Sequence, residues 1–367
     1  MQKIEIYTTP EVHSSFRLDG ISYNNEELRV ISCSFCKNGE VYEQEIGYFL
    51  KAWLDDKPYI IAETSGSTGK PKVLKLYKQQ MIHSAMATGL FFKTLKDSTA
   101  LLCLSTNYIA GKMMLVRAMI LGWRLDVVPY CANPLDSVFK RYDFCAMVPL
   151  QLDNSLSRLH LIKKLIVGGG SVSEKLQELI LSIDAKVYET YGMTETVSHI
   201  AARRLNPKKR KKELKAFKAL PDVTLTTDDR GCLVIKAPRI TQDVIVTNDV
   251  VELLTYKKFY WKGRYDNVVN SGGIKLHPET IEEKIQKHIP QRFFLAGFPD
   301  DILGERLVLL IEGMVSRDVK DVLHLAISQD AKLSKYEVPK AIYFLPKFVE
   351  TLTGKVHRAN TMSLISL

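Results

Sequence analysis

The chain has 367 residues, of which 46% are apolar and 25% are charged. That is an ordinary globular composition, and it is enough sequence for two or three domains with buried cores. Lys112 and Arg117 interrupt the longest apolar stretch, residues 108–123, which argues against a membrane span. The first residues have no signal-peptide core, so we expect a cytoplasmic location.

A short basic run carries much of the net charge of +10. Residues 208–218 hold seven basic residues and one acid, a local charge of +6, which leaves +4 for the rest of the chain. Such a run can bind phosphate backbones. It is more often a solvated loop or helix face, and here it contains one aromatic residue, Phe217, where stacking platforms need several. Its role stays open.

From residue 59 the sequence alternates short apolar runs with helical stretches, which predicts an α/β sheet with helices on its faces. Predicted strands cover residues 59–62, 101–104, 125–128, 144–148, 165–167 and 186–188. Predicted helices cover residues 79–92, 112–121 and 174–183, the last beginning at a capping box. Residues 1–60 give no site signal.

After residue 220 the pattern changes to antiparallel structure. Residues 223–226 and 232–235 flank a turn and predict a hairpin, and residues 249–261 read as further strand. Predicted helices near 278–288 and 317–329 suggest a small α+β unit. We therefore expect a large domain over residues 1–264 and a small C-terminal domain over 265–367.

The strongest local signal is a loop of small, hydroxylated and basic residues directly after a strand. Its candidate phosphate-binding residues are Thr64, Ser65, Gly66, Ser67, Thr68, Gly69, Lys70 and Lys72. Small residues let backbone N–H groups approach a phosphate, hydroxyls donate to its oxygens, and lysines neutralise its charge. It is not a Walker A loop, because Thr64 and Pro71 stand where that motif needs Gly and Ser or Thr.

This loop resembles that of the adenylate-forming superfamily, which includes acyl-CoA synthetases, luciferases and adenylation domains of peptide synthetases. Further motifs of the superfamily follow in the same order. They are Gly168-Gly169-Gly170, Tyr191-Gly192-Met193-Thr194-Glu195, Thr247-Asn248-Asp249, Gly263-Arg264-Tyr265-Asp266, the loop from Ser271 to Glu279, and Thr353-Gly354-Lys355. The resemblance implies the superfamily's fold with a shortened N-terminal part, since the phosphate loop begins as early as residue 64. It also implies activation of an acid by ATP, Mg²⁺ and coenzyme A.

The resemblance assigns roles to the motif residues. Tyr191 would stack on adenine beside Gly169, Gly170 and Gly192, and Asp249 and Arg264 would hold the ribose. Thr194 would bind phosphate and Glu195 would hold Mg²⁺. Lys355 would neutralise charge at the α-phosphate during adenylation.

The resemblance also implies a second half-reaction. Asp266 would be the hinge about which the small domain rotates, so that a thiol can replace Lys355 at the acyl carbon. Gly272, Gly273 and Lys275 would contact coenzyme A.

The residues that line the acid site in relatives narrow the substrate. Tyr108 stands where many acyl-CoA synthetases have histidine, and no carboxylate is nearby to pair with an amino acid's ammonium group. The runs 191–202 and 146–152 resemble the o-succinylbenzoate–CoA ligases of menaquinone synthesis. That resemblance predicts an acid site containing Tyr108, Gly111, Lys112, Gly168, Ser198 and His199. Lys112 is the candidate for the substrate's second carboxylate, although a solvent-facing lysine is an equal alternative, and His199 also fits a packed strand residue.

Other functions stay open at this point. The chain fits a ligase for another aromatic or short-chain acid, or a non-catalytic nucleotide-binding relative. A nucleic-acid-binding protein would rest on the basic run alone. We expect small-molecule partners, with neither nucleic acid nor membrane, and a homo-oligomer is left open.

Overall fold

The computed structural model describes residues 10–63, 73–207, 216–314, 317–350 and 356–365. Its strands up to the middle of the chain are β1 (Arg17–Leu18), β2 (Ile21–Ser22), β3 (Tyr59–Glu63), β4 (Val73–Tyr77), β5 (Thr99–Leu102), β6 (Arg124–Val127), β7 (Phe144–Met147), β8 (Lys164–Val167), β9 (Lys186–Gly192) and β10 (His199–Arg204). The later strands are β11 (Phe217–Ala219), β12 (Thr224–Thr227), β13 (Cys232–Lys236), β14 (Ile245–Thr255), β15 (Lys258–Arg264), β16 (Val269–Ser271), β17 (Ile274–Leu276), β18 (Phe293–Asp300), β19 (Gly304–Glu312) and β20 (Ala341–Leu345). The helices are α1 (Asn25–Asn38), α2 (Val41–Leu54), α3 (Lys78–Phe92), α4 (Ile109–Leu121), α5 (Pro149–Asn154), α6 (Glu174–Leu179), α7 (Pro278–Ile285), α8 (Arg317–Ser328) and α9 (Arg358–Met362).

Thirteen strands form one large sheet in the order β12-β13-β14-β15-β11-β10-β9-β8-β7-β5-β6-β1-β2. The strands from β9 to β1 in this order are parallel to one another, and the flanking strands pair antiparallel. Parallel strands are normally buried on both faces. Because these strands are parallel, the carboxyl ends of β5, β7, β8 and β9 share one edge, where α/β sheets bind their ligands.

Alternate residues of the central strands supply two separate cores. Ala100 and Leu102 of β5 join the core on one face, which also contains the apolar residues of α2, α3 and α4. Leu101, between them, joins the core on the other face, under α5 and α6. The two-residue period of the strands thus produces a sheet with helices on both sides, which confirms the predicted fold class.

A second, five-stranded sheet follows β15, in the order β17-β16-β19-β18 with β20 beside β19. Strands β16 and β17 are joined by Gly272 and Gly273, with φ values of +59° and +81°. Positive φ at both positions is what a two-residue hairpin turn of type I′ requires. The large sheet ends at Arg264 and the second begins at Val269. The two-domain division at residue 264 stays a prediction.

The predicted strands and helices correspond closely to the observed ones, with small shifts at their ends. The helix predicted over 174–183 stops at Leu179 and continues as a 3₁₀ turn, Ile180–Ser182. Helices α1 and α2 lie in the part of the sequence for which no element was predicted. Among the described residues, no helix is long and apolar enough to cross a membrane.

Candidate functional site

The carboxyl edge of the parallel strands carries the glycine turn. Gly168 follows β8, and a side chain there would lie 2.8 Å from Thr190 Oγ1 on β9. Thr190 donates its hydroxyl to the carbonyl of Val167, 3.0 Å away. Gly169 has φ of +82°, a conformation that favours glycine. The turn therefore lies close against β9, directly beside the start of the Tyr191 motif.

A carboxylate on β14, that of Asp249, contacts several residues around the predicted adenine and ribose site. Asp249 Oδ2 accepts a hydrogen bond from the Tyr191 hydroxyl at 2.7 Å, and Oδ1 accepts one from Trp261 Nε1 at 3.1 Å. Arg264 Nη1 lies 3.8 Å from the same Oδ1. The structure thus brings together three residues predicted for the adenine and ribose site. Trp261 was missed, and its only signal is a place on β15, which pairs with β14.

The ring of Tyr191 is fixed by two phenylalanines. Its centroid lies 5.9 Å from Phe217 and 5.3 Å from Phe259, both in edge-to-face geometry. Burial and the neighbouring Asp249 raise the pKa of the Tyr191 phenol, so the hydroxyl remains a donor. Aromatic pairs of this kind contribute about 0.5–1.5 kcal/mol beyond their buried area. The ring is therefore held in place before any ligand binds.

A strained turn follows β9. Thr194–Thr196 form a 3₁₀ turn, and Val197 then has φ of +65° and ψ of −50°. The Ser198 N–H donates to the Thr196 carbonyl at 2.6 Å, which closes a γ-turn around Val197. A β-branched residue rarely adopts positive φ, and such strain costs about 1–3 kcal/mol. The turn reverses the chain so that β10 pairs with β9, and Gly192 lies opposite His199.

Glu195 is the candidate Mg²⁺ ligand, and its setting can be compared with what that ion needs. Its side chain is exposed and forms no ion pair with the described residues. The part of the chain that the structure describes contains no group of three or more His, Cys, Asp or Glu side chains that could hold a metal alone. Mg²⁺ is usually bound by one or two carboxylates together with substrate phosphates. A single free carboxylate therefore fits the ion.

A buried cation lies beside Ser198 and His199. The Arg117 Nη2 atom of α4 is 3.2 Å from Ser198 Oγ and 3.4 Å from His199 Nδ1. Ser84 and Thr88 of α3 contact the same pair, at 2.8 Å to Ser198 Oγ and 3.4 Å to His199 Nε2. Arg117 is 2% exposed, and burial lowers its pKa to about 9. Burial and Arg117 also lower the pKa of His199 well below its usual range, so the imidazole is neutral at pH 7.

Arg117 was not predicted as a site residue, although the sequence carries a signal for it. It is a cation in the middle of a helix that is apolar apart from Lys112 near its start, and it was used only as an argument against a membrane span. None of the carboxylates in the described ranges forms an ion pair with it, and its buried Nε has no hydrogen-bond partner there. A buried charge without a counter-ion is costly, which makes Arg117 a candidate ligand for an anion.

The other predicted acid-site residues lie at the start of α4. Tyr108 precedes the helix and is 66% exposed. Lys112 donates to the carbonyl of Asn107 at 2.8 Å. A side chain at Gly111 would come within 2.2 Å of the Ser105 carbonyl oxygen, so glycine is required for the close approach of helix and loop. A role for Lys112 in binding the acid stays a prediction.

The hinge candidate is tied to the large sheet. Asp266 accepts from Asn248 Nδ2 at 3.3 Å and lies 3.5 Å from Arg264 Nη2. Asn248, which replaces the usual glycine of its motif, accepts in turn from Arg230 Nη1 at 3.0 Å. The Arg230 guanidinium also lies over the Tyr265 ring, 5.1 Å from its centroid. Arg230 therefore contacts Tyr265 directly and is linked to Asp266 through Asn248.

Two predicted groups lie outside the described residues. They are the phosphate loop, residues 64–72, which falls between the paired strands β3 and β4, and Lys355. The predicted coenzyme A residues Gly272, Gly273 and Lys275 are on the β16–β17 hairpin, and the side chain of Lys275 is exposed.

Comparison with known proteins gives this site a context. The family model described as AMP-binding enzyme matches residues 37–231, more than half of the chain. The 2-succinylbenzoate–CoA ligase of Bacillus cytotoxicus is 26% identical over 344 residues, which cover 83% of this chain and 70% of that protein. A homologous ligase from Bacillus cereus is also 26% identical and covers 94% of this chain and 77% of its own.

Solved structures agree in fold. An acyl-CoA synthetase (AMP-forming)/AMP-acid ligase II-like protein from Dyadobacter fermentans is 35% identical, with a TM-score of 0.61 and coverage of 92% of this chain and 98% of its own. The O-succinylbenzoate coenzyme A synthetase of Bacillus subtilis, solved with ATP and magnesium ion, is 20% identical with a TM-score of 0.69 and covers 82% and 69%. The motif order, the site geometry and these similarities agree, and the chain belongs to the family of AMP-binding enzymes, among its AMP-forming acid ligases.

Proposed function

We propose that this enzyme converts o-succinylbenzoate into its coenzyme A thioester through an acyl-adenylate. The succinyl carboxylate oxygen attacks the α-phosphorus of ATP, and the bond to pyrophosphate breaks. The thiol sulfur of coenzyme A then attacks the acyl carbon, and AMP leaves. Relatives named for this ligation, at about a quarter identity, support the choice of acid.

The observation that best supports this choice of substrate is the buried Arg117. Only one carboxylate of o-succinylbenzoate is activated, and the other stays ionised within the site. A carboxylate entering a partly buried pocket needs a cation. Arg117 lacks an acidic partner among the described residues, and Ser198 beside it is half-buried. A substrate carboxylate at this position would receive hydrogen bonds from both side chains.

The remaining residues divide the work on ATP. Asp249, already fixed by Tyr191 and Trp261, would accept the ribose hydroxyls, with Arg264 beside it. Mg²⁺ held by Glu195 would neutralise charge on the ATP phosphates. Lys355 would stabilise the charge that builds on the α-phosphate as the carboxylate attacks.

ATP–pyrophosphate exchange with a panel of acids tests the proposal. The matched pair is o-succinylbenzoate and 4-oxo-4-phenylbutyrate, which is the same molecule without the ring carboxylate. We expect strong exchange with the first acid and weak exchange with the second. A preference for the monocarboxylate would contradict the substrate, and no exchange with any acid would indicate a nucleotide-binding protein without this activity.

Two variants test which residue binds the second carboxylate of the substrate. Removing one partner of a buried charge pair costs about 3–5 kcal/mol, more than a hundredfold. Arg117→Met, which keeps the apolar volume, should raise KM for o-succinylbenzoate by that order and leave 4-oxo-4-phenylbutyrate almost unchanged. Lys112→Ala is the comparison. If it has the larger selective effect, Lys112 binds the carboxylate instead. Equal losses for both acids in Arg117→Met would mean that Arg117 is structural.

A further inference from the structure

A cavity of about 790 Å³ opens at the edge of the parallel sheet opposite to the candidate active site. It lies where β5, β7, β8 and β9 begin and where β10 ends. The polar side chains that matter here are those of Arg141, His160, Lys163, Asp184, Lys186 and Arg204. Strand β9 spans roughly 20 Å from Lys186 to Gly192 at the usual rise per residue. The cavity is therefore separate from the adenylate site.

Positive charge dominates the cavity. Four cations line it, Arg141, Lys163, Lys186 and Arg204, against the carboxylates of Asp143 and Asp184. Asp143 is already occupied, since Thr99 donates to one of its oxygens and Lys163 lies 3.2 Å from the other.

A neighbouring lysine adds to this excess. Lys164 lies at the start of β8, directly opposite Lys186 on β9. Burial is the main cause that lowers its pKa, and repulsion from Lys163, Lys186 and Lys93 lowers it further. The like charges at this edge are thus close enough to destabilise one another.

Three of the cations have no counter-ion within the described ranges. Arg141, Lys186 and Arg204 form no ion pair there. The Nε atom of Arg204 is buried and has no hydrogen-bond partner among those residues. Donors converging on a concave surface without acceptors are what an anion site provides.

The shape of the cavity favours a compact ligand. Its volume is within the range of small-molecule sites. Of the two rings in its wall, Tyr142 is buried and its hydroxyl donates to Asp126 at 2.7 Å, which leaves the exposed imidazole of His160 and no run of rings on which successive bases could stack. An extended nucleic acid would need such stacking and a longer groove.

We propose that this cavity, defined by Arg141, Lys163, Lys186 and Arg204, is a second anion site that binds a small molecule with two or more linked phosphate groups. Linked phosphates match the site because several separated cations can each contact a different phosphate. This site is distinct from the predicted nucleotide site at the carboxyl edge of the parallel strands.

Lysine footprinting of the whole chain with inorganic tripolyphosphate tests the proposal. The chain is acetylated with and without tripolyphosphate, and the modification of each lysine is measured by mass spectrometry. Lys163 and Lys186 are exposed and available to the reagent. We expect tripolyphosphate to slow their acetylation several-fold, and to leave Lys236, an exposed lysine on β13, unchanged.

Three controls keep the result interpretable. Sulfate at the same ionic strength measures screening alone, and equal protection by sulfate would overturn the proposal. Arg141→Ala changes an exposed residue, and it should weaken protection about three- to tenfold, as should Arg204→Ala. Both variants should retain ATP–pyrophosphate exchange. Protection that survives both substitutions, or stronger protection by a single-stranded oligonucleotide, would contradict a small polyphosphate site.

Discussion

His199 illustrates how a buried neighbour sets the charge of a side chain, and it makes stability depend on pH. Burial and Arg117 hold its pKa below the usual value, whereas in the unfolded chain a histidine has a pKa of about 6.5. Below that pH the unfolded state binds a proton that the folded state does not. The contribution of His199 to the free energy of unfolding is therefore complete above about pH 6.5. It is lost as the pH falls, by up to about 1.4 kcal/mol per pH unit.

Urea unfolding of the wild type and His199→Gln between pH 5 and 8 measures this effect. The difference in unfolding free energy between the two proteins should shrink as the pH falls below about 6.5. His277, whose pKa is also lowered, chiefly by burial, is present in both proteins and cancels. Parallel stability curves would show that His199 does not titrate in this way.

Among single residues, the sequence predicted those that belong to motifs and missed those that contact the motif residues. Tyr191, Asp249 and Arg264 could be named because the motif spacing is retained. Trp261 and Arg117 were not named, because the contacts that place them in the site depend on the folded arrangement. Trp261 contacts Asp249 on the paired strand, and Arg117 contacts Ser198 and His199 on another element. For His199, its place within the site and its packing in a strand were both expected, and the structure shows a buried strand residue beside Arg117.

Among the helices, α4 depends on one glycine. Alanine normally stabilises a helix interior relative to glycine by about 1 kcal/mol. At Gly111, however, the added carbon would meet the Ser105 backbone at 2.2 Å, so the helix must move away from the loop. We expect Gly111→Ala to lower the free energy of unfolding by about 1–3 kcal/mol despite its propensity.

Gly89→Ala in α3 is the matched control in thermal and urea unfolding. There the new carbon meets the Leu121 side chain at 2.9 Å rather than backbone, and a side chain can shift. Its effect should be clearly smaller. If both substitutions change stability equally, close packing at Gly111 is not what the position requires.

Element prediction succeeded where apolar runs are short and bounded, as in β7 and β8. It failed for α1 and α2, although Asn24 and Glu27 form a capping box at the start of α1. The helix is amphipathic against α2 rather than against the sheet, and nothing local indicates that pairing. The end of α6 was overestimated because the apolar pattern continues through a 3₁₀ turn, which periodicity does not distinguish from α-helix.

Across the whole molecule, the two sheets are joined by the few residues between Arg264 and Val269. If Asp266 is the hinge, Asp266→Pro should restrict φ there and the conformation of Tyr265. Thioester formation, measured with supplied acyl-AMP, should then fall more than adenylation, measured by pyrophosphate exchange. Asp266→Ala removes the contacts to Asn248 and Arg264 while leaving the backbone free. If both variants turn over like the wild type, Asp266 is not the hinge.

The expected separation of the half-reactions gives a further prediction for Lys355. Lys355→Ala should slow acyl-AMP formation by about 10²–10³, the usual effect of one lost transition-state contact. It should still convert supplied acyl-AMP into thioester at close to the wild-type rate. Equal losses in both steps would show that Lys355 serves more than adenylation.

The pairing of β1 with β6 bears on how the chain folds as it is made. Arg17 pairs with Arg124, so β1, which can pair with β2 at once, must wait for its parallel partner β6 until more than a hundred further residues have been synthesised. At roughly 5–20 residues per second that takes on the order of 5–20 s. During this interval α1 and α2, which contact each other, can form a local hairpin of helices on the ribosome. This edge of the sheet can close only after β6 has been made, and truncations that end before residue 124 should leave that N-terminal segment sensitive to protease.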